Sequence, residues 1–214
     1  MVFVDNGDLF FGTASKEPGQ ATRGIWRIPG AAQAEQQISA PQQVLPGDVF
    51  TSVSPGALGQ ASPTAFLTAG PFAGDLLILD NPSVALGGPH GRVLHATKPN
   101  FSTVAVFVSA PPTLTPKRPE GLALDSRGDI LVNDFDTSTI FRYGPDGAFK
   151  RVFTSLTQPN QLAVGPDDTV YVTNATFRGA ILSGDLNVFN PRGMLRATVR
   201  PNAFLRGVTV CVSE

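Results

Sequence analysis

A recurring segment constrains this chain more than any single residue does. Residues 118–134 read Arg-Pro-Glu-Gly-Leu-Ala-Leu-Asp-Ser-Arg-Gly-Asp-Ile-Leu-Val-Asn-Asp, and residues 159–174 read Pro-Asn-Gln-Leu-Ala-Val-Gly-Pro-Asp-Asp-Thr-Val-Tyr-Val-Thr-Asn. A third copy, slightly longer, occupies 63–80, and the tail of a fourth occupies 2–13. Each pairs a short apolar run with a second one across a turn rich in Gly and Asp. A period near 40 residues built this way predicts the blade of a β-propeller. One blade cannot bury its apolar faces alone, so the repeat dictates the architecture around it.

The clearest copy, 118–156, predicts four strands at 121–124, 129–134, 139–143 and 149–153. Asp125-Ser-Arg-Gly128 and Gly144-Pro-Asp-Gly147 supply the turns, where Asp bonds the backbone ahead of it and Gly takes positive φ. The next blade, 159–200, predicts strands at 162–164, 169–173, 185–189 and 194–199, with Asn190-Pro-Arg-Gly193 as a turn and an exposed loop over 177–184. The blade at 63–108 has outer strands at 91–96 and 103–108, with a loop over 81–90. The first blade, about 2–53, has 24–28 as its third strand and either 44–45 or 49–53 as its fourth. Residues 205–214 read as the innermost strand of a partial fifth blade. The expectation is an all-β, single-domain β-propeller over 1–214, with four blades of four antiparallel strands plus the partial fifth. Two arrangements are open: a fragment of a five- or six-bladed ring, or a small ring closed by the last strand beside the first blade. The expected core comprises Leu122, Leu124, Ile130, Val132, Ile140, Leu162, Val164, Val170, Val172 and Val208.

Composition agrees. With 22 Gly and 19 Pro in 214 residues, there is little room for long helices. The best helix candidate is 31–37. Sixteen basic residues balance 17 acidic ones without a basic run, and only 8% of residues are aromatic, which argues against a nucleic-acid partner. The apolar stretches are too short to span a bilayer. The single cysteine, Cys211, excludes an intrachain disulfide and reads as a small buried hydrophobe. No signal peptide is visible ahead of the first strand. The compartment stays open, with secretion or the periplasm an option if residues precede Met1.

The run Pro119-Glu-Gly-Leu-Ala-Leu-Asp-Ser-Arg-Gly-Asp-Ile-Leu-Val-Asn-Asp134, followed by Ile140-Phe-Arg-Tyr-Gly-Pro-Asp-Gly147, resembles the NHL-repeat proteins. It also resembles the wider six-bladed clan of senescence-marker and gluconolactonase enzymes and virginiamycin B lyase. The resemblance implies a blade, not a chemistry, because these motifs are structural. It also implies that the residue after the blade-opening Pro faces a central channel. That puts Thr64, Glu120 and Asn160 on one rim, with Arg206 at the matching point of the last strand. In the gluconolactonase-like branch such positions hold a divalent cation, so Glu120 and Asn160 become candidate ligands for Ca2+ or Mg2+. Asp134 and Asn174, equivalent to Asp80, are further candidates. Each also has a plainer role: Glu120 as a rim carboxylate paired with Arg206, Asp134 and Asn174 as caps of a strand end. His90 and His95 could share a metal or serve a lyase, but no other ligand lies near them in sequence. The resulting expectation is a non-catalytic scaffold that binds a protein, glycan or small molecule through one face. The alternatives are a metal-dependent lactonase or esterase and a lyase.

Overall fold

A computed structural model describes residues 2–3, 8–13, 24–33, 40–46, 59–82, 91–101, 103–108, 112–178 and 181–200. Its internal contacts divide it into two compact units, 1–68 with 72–107, and 69–71 with 108–214. The first unit holds two four-stranded antiparallel sheets. One is β1 (Val2–Phe3), β2 (Leu9–Thr13), β3 (Gly24–Ile28) and β4 (Gln42–Pro46); the other is β5 (Gly59–Phe66), β6 (Leu76–Pro82), β7 (Arg92–Ala96) and β8 (Val104–Val106). The second unit holds two more. These are β9 (Pro119–Leu124), β10 (Ile130–Asp134), β11 (Thr139–Tyr143) and β12 (Phe149–Ser155), then β13 (Pro159–Val164), β14 (Val170–Arg178), β15 (Ile181–Phe189) and β16 (Leu195–Val199). In every sheet the strands lie in chain order, as blades of a β-propeller do.

The turns follow their residues. Gly128, Gly147 and Gly193 have φ of 77°, 80° and 89°, the left-handed values that close a short hairpin after a type I turn. Asp168 takes the same place in the β13–β14 turn with φ 60°, which an Asp tolerates better than most residues. Each turn closes with paired backbone bonds, for instance Gly144 N to Ala148 O (2.8 Å) and Gly147 N to Gly144 O (2.9 Å).

The expected strand at 139–143 matches β11, and 24–28 matches β3. Four expectations change. Residues 177–178 and 181–184 of the expected loop are strand instead, with β14 and β15 in register to Arg178↔Ile181. β5 begins four residues ahead of Pro63, absorbing that proline at a register shift between Pro63 and Ala65. The fourth strand of the first blade is the 44–45 option, widened to β4, while 49–53 lies outside the described residues. The helix candidate forms one 3-10 turn at Ala31–Gln33, and 34–37 lies outside the described residues. The partial fifth blade, Val208, Cys211 and most of the 81–90 loop also lie outside them.

Each unit has its own core. In the first, Phe10, Ile25, Leu45, Leu76, Ile78 and Leu94 pack together, with Phe10, Phe66 and Phe101 meeting edge to face. In the second, Leu131, Ile140, Phe153, Leu162, Val170, Val172 and Phe189 do so. All five residues of β10 are buried. Leu124 and Val164, expected to be buried, are half-buried, because each is the last residue of its strand before a solvent-facing turn.

Three blades share an unexpected polar device. Asp8, Asp75 and Asp129 each stand one residue before the second strand, and each is buried. The residue opposite the second position of that strand, on the third strand, is basic: Phe10↔Arg27, Leu77↔His95 and Leu131↔Arg142. Arg27 Nε donates to Asp8 (2.6 Å), His95 Nδ1 bonds Asp75 (2.8 Å), and Arg142 Nε donates to Asp129 (2.9 Å). The other carboxylate oxygen ties down chain beyond the third strand, through Gly30 N (2.8 Å), Lys98 N (3.1 Å) and Lys150 Nζ (2.5 Å). The last blade has Thr169 and Val188 at these places and lacks the pair.

Candidate functional site

The candidate residues of the second unit gather where β9 and β13 begin. Arg118 Nε donates to Glu120 Oε1 at 2.7 Å, and the same guanidinium lies 4.4 Å from the Phe135 ring centroid. Glu120 is half-buried, and its backbone carbonyl accepts from the Gln161 side-chain amide, tying β9 to β13. Burial raises the Glu120 carboxyl above the ordinary glutamate value, against the opposing pull of Arg118. The cation beside Glu120 is thus Arg118, two residues away. Arg206, offered for that role by the sequence, lies outside the described residues. Asn160 is half-buried on β13. Thr64 lies on β5 in the first unit.

Asp134 and Asn174 are engaged within their own blades. One Asp134 oxygen accepts from the backbone N–H of Lys117 and of Arg118 (2.6 Å for the latter), and the other accepts from Thr137 N and Oγ1 (both 2.8 Å). Four donors fill the carboxylate and fasten the turn after β10 to the chain leading into β9. The Asn174 oxygen accepts from Asp185 N and Asn187 Nδ2 (both 3.2 Å), and its amide donates to Thr157 O (3.3 Å). Asp80, the equivalent residue in the first unit, binds Arg92 at 2.6 Å. One repeat position therefore cements three blades with three different partner sets.

A calcium site draws on six to eight oxygens. Two of the four oxygen-bearing candidates are saturated by internal donors, and a third is paired with Arg118. The set as it stands does not make a cation shell. Among the described residues no group of three or more His, Cys, Asp and Glu is arranged to hold a metal ion. His95 is buried against Asp75 between Phe72 and Phe107, with ring centroids 4.9 and 5.3 Å away, and His90 lies outside the described residues. The pairs of Asp with a basic residue type were hidden from sequence reasoning. The signal that could have found them is a basic residue recurring on the third strand of each Gly-Asp blade.

No protein-family model matches this chain, and no curated protein matches it. Solved structures do. Regucalcin, a calcium-binding protein from Agrobacterium tumefaciens, superposes with a TM-score of 0.62 at 10% identity, over 92% of this chain and 58% of that one. A chain of a nidogen/laminin complex gives 0.63 at 15% identity, over 94% and 65%. A gluconolactonase from Xanthomonas campestris gives 0.52 at 18% identity, over 87% and 58%. At these identities the likeness establishes the fold alone, a β-propeller. The chain spans about three-fifths of the length of the structures it matches. Among the described residues, no helix is long and apolar enough to cross a membrane.

Proposed function

We propose that this propeller works as a binding scaffold, engaging a protein, glycan or small molecule through one face, and that it does so without catalysing a reaction. One domain over 1–214 is part of this reading. The observation that carries it is the commitment of Asp134 and Asn174 to hydrogen bonds that fasten their own blades, and of Glu120 to Arg118. A propeller in a nidogen/laminin complex supports engagement of a protein. The second reading, a lactonase or esterase using Ca2+ or Mg2+ at Glu120 and Asn160, draws on the regucalcin and gluconolactonase likenesses and on the raised Glu120 carboxyl.

Thermal unfolding with and without Ca2+ or Mg2+, run beside a lactone-hydrolysis assay, separates the two. The scaffold reading expects an unchanged melting temperature and no hydrolysis. A ligand specific to the folded state must raise the melting temperature. A cation-dependent rise that Glu120→Gln abolishes, together with hydrolysis, would replace the scaffold by the lactonase.

A further inference from the structure

The turn end of the β9–β12 sheet, opposite to the end that carries Glu120, forms with the β15–β16 turn an open pocket of about 490 Å3. That volume lies within the range of small-molecule sites. Arg127, Arg142, Lys150, Arg151 and Arg192 line it, with Asp129 and Pro191. Five of the chain's 16 Lys and Arg residues meet here, although the chain as a whole carries a net charge of −1.

The internal partners do not neutralise this cluster. Asp125 takes Arg142 Nη2 and Arg127 Nη2 (3.1 Å for the latter). Asp129 takes Arg142 Nε and Lys150 Nζ. Asp168 lies close enough to favour the Arg142 charge, but its oxygens accept from Ser126 N (2.7 Å) and Oγ (2.9 Å). Five cations thus face three carboxylates. Arg151 and Arg192 form no ion pair among the described residues. Arg151 Nη1 reaches only the carbonyls of Val152, Phe153 and Arg192, at 3.4, 3.5 and 3.4 Å, the long limit of a hydrogen bond. Arg142 Nη1 reaches Pro191 O at 3.4 Å. Burial, followed by the charge of Arg151, holds Arg142 below the ordinary arginine value. An anion between the two guanidinium groups would relieve that repulsion. Guanidinium forks match the oxygens of tetrahedral anions, two bonds at a time.

We propose that this cavity binds a small, multiply charged tetrahedral oxyanion, a phosphate or sulfate ester. Arg151 and Arg192 grip it, Lys150 and Arg127 stand at the margin, and Arg142, fixed by Asp125 and Asp129, forms the floor. The inference rests on reading the chain as a binding protein. Its failure would leave that reading intact, since the cation and lactone measurements test the scaffold separately.

Titration calorimetry of the full chain with pyrophosphate, inorganic sulfate, citrate and chloride, at matched ionic strength, tests the site. Saturable binding of pyrophosphate or sulfate at one site is expected, with citrate weaker and chloride silent. Arg192→Glu should weaken pyrophosphate at least about tenfold. Arg196→Glu, on β16 and outside the cavity lining, should not weaken it. Circular dichroism checks that each variant folds, and Arg127→Gln stands in if Arg192→Glu does not. Three results would each overturn the site: no saturable heat, equal weakening by Arg196→Glu, or citrate binding more tightly than pyrophosphate.

Discussion

Asn133 is fully buried, and neither its side-chain oxygen nor its nitrogen has a hydrogen-bond partner among the described residues. A buried amide left in that state costs about 1–3 kcal/mol. The same repeat position holds Leu79 in one blade and Thr173 in another, where Thr173 Oγ1 accepts from Gln161 N at 3.1 Å. Asn133→Leu therefore installs the residue that a sister blade already buries, with the same number of side-chain heavy atoms. It should raise the urea midpoint, and a fall of more than about 1 kcal/mol would mean that Asn133 is needed where it stands. Glu120 predicts a pH effect. Its folded-state carboxyl is raised, so its contribution to stability is fully present below the ordinary glutamate value and is lost as pH rises through the raised one. Glu120→Gln should abolish that loss, making unfolding free energies flatter across the carboxylate range. The loss is the smaller because the side chain is 21% exposed, which limits its desolvation, and because the Arg118 charge opposes the raise. Among single residues, positions 80, 134 and 174 were legible as equivalent. Their partners were not, because a donor such as Thr137 N belongs to a turn whose geometry exists only once the blade has formed.

At the scale of strands and turns, the Asp129–Arg142 pair joins the approach to β10 with the middle of β11. Both side chains are 6% exposed. Removing one partner of a buried pair leaves an uncompensated charge and typically costs about 3–5 kcal/mol. Asp129→Ala should lose no more than the lower end of that range in chemical denaturation, because Arg142 keeps Asp125. Replacing Thr137 by Val should cost far less, because Asp134 keeps its backbone donors. Gly193 makes a second prediction. A Cβ there would lie 2.2 Å from the Phe153 carbonyl oxygen, at a φ of +89°. Gly193→Ala must push the β15–β16 turn away from β12, so its melting temperature should fall well below that of Gly30→Ala, where nothing lies within 4 Å of the added carbon. The strand boundaries were readable wherever Gly, Pro and Asp punctuate the chain, as between β9 and β12. They failed at 177–184, where glycines look like a loop but backbone pairing carries two nine-residue strands through. The pairs of these Asp residues with Arg27, His95 and Arg142 escaped for a related reason. Partners 19, 20 and 13 residues apart become neighbours only through the register of strands two and three.

For the molecule as a whole, the repeat was the legible quantity, because period and turn chemistry survive divergence that leaves 10–18% identity to other propellers. Function was far less legible, since a blade spends its most conspicuous polar residues on itself. The exceptions lie inside the turns. Four of them share one frame: 125–128, 144–147, 165–168 and 190–193, each held by its first and last residues through backbone bonds. The third residue of each is Arg127, Asp146, Asp167 or Arg192, and none of the backbone–backbone bonds that close the turns involves it. Two of those four are the arginines that line the oxyanion cavity. Charge at this face can thus drift from basic to acidic, one codon at a time, without disturbing a strand. Ligand preference becomes a trait that such a propeller can lose, gain or invert while its architecture stays fixed.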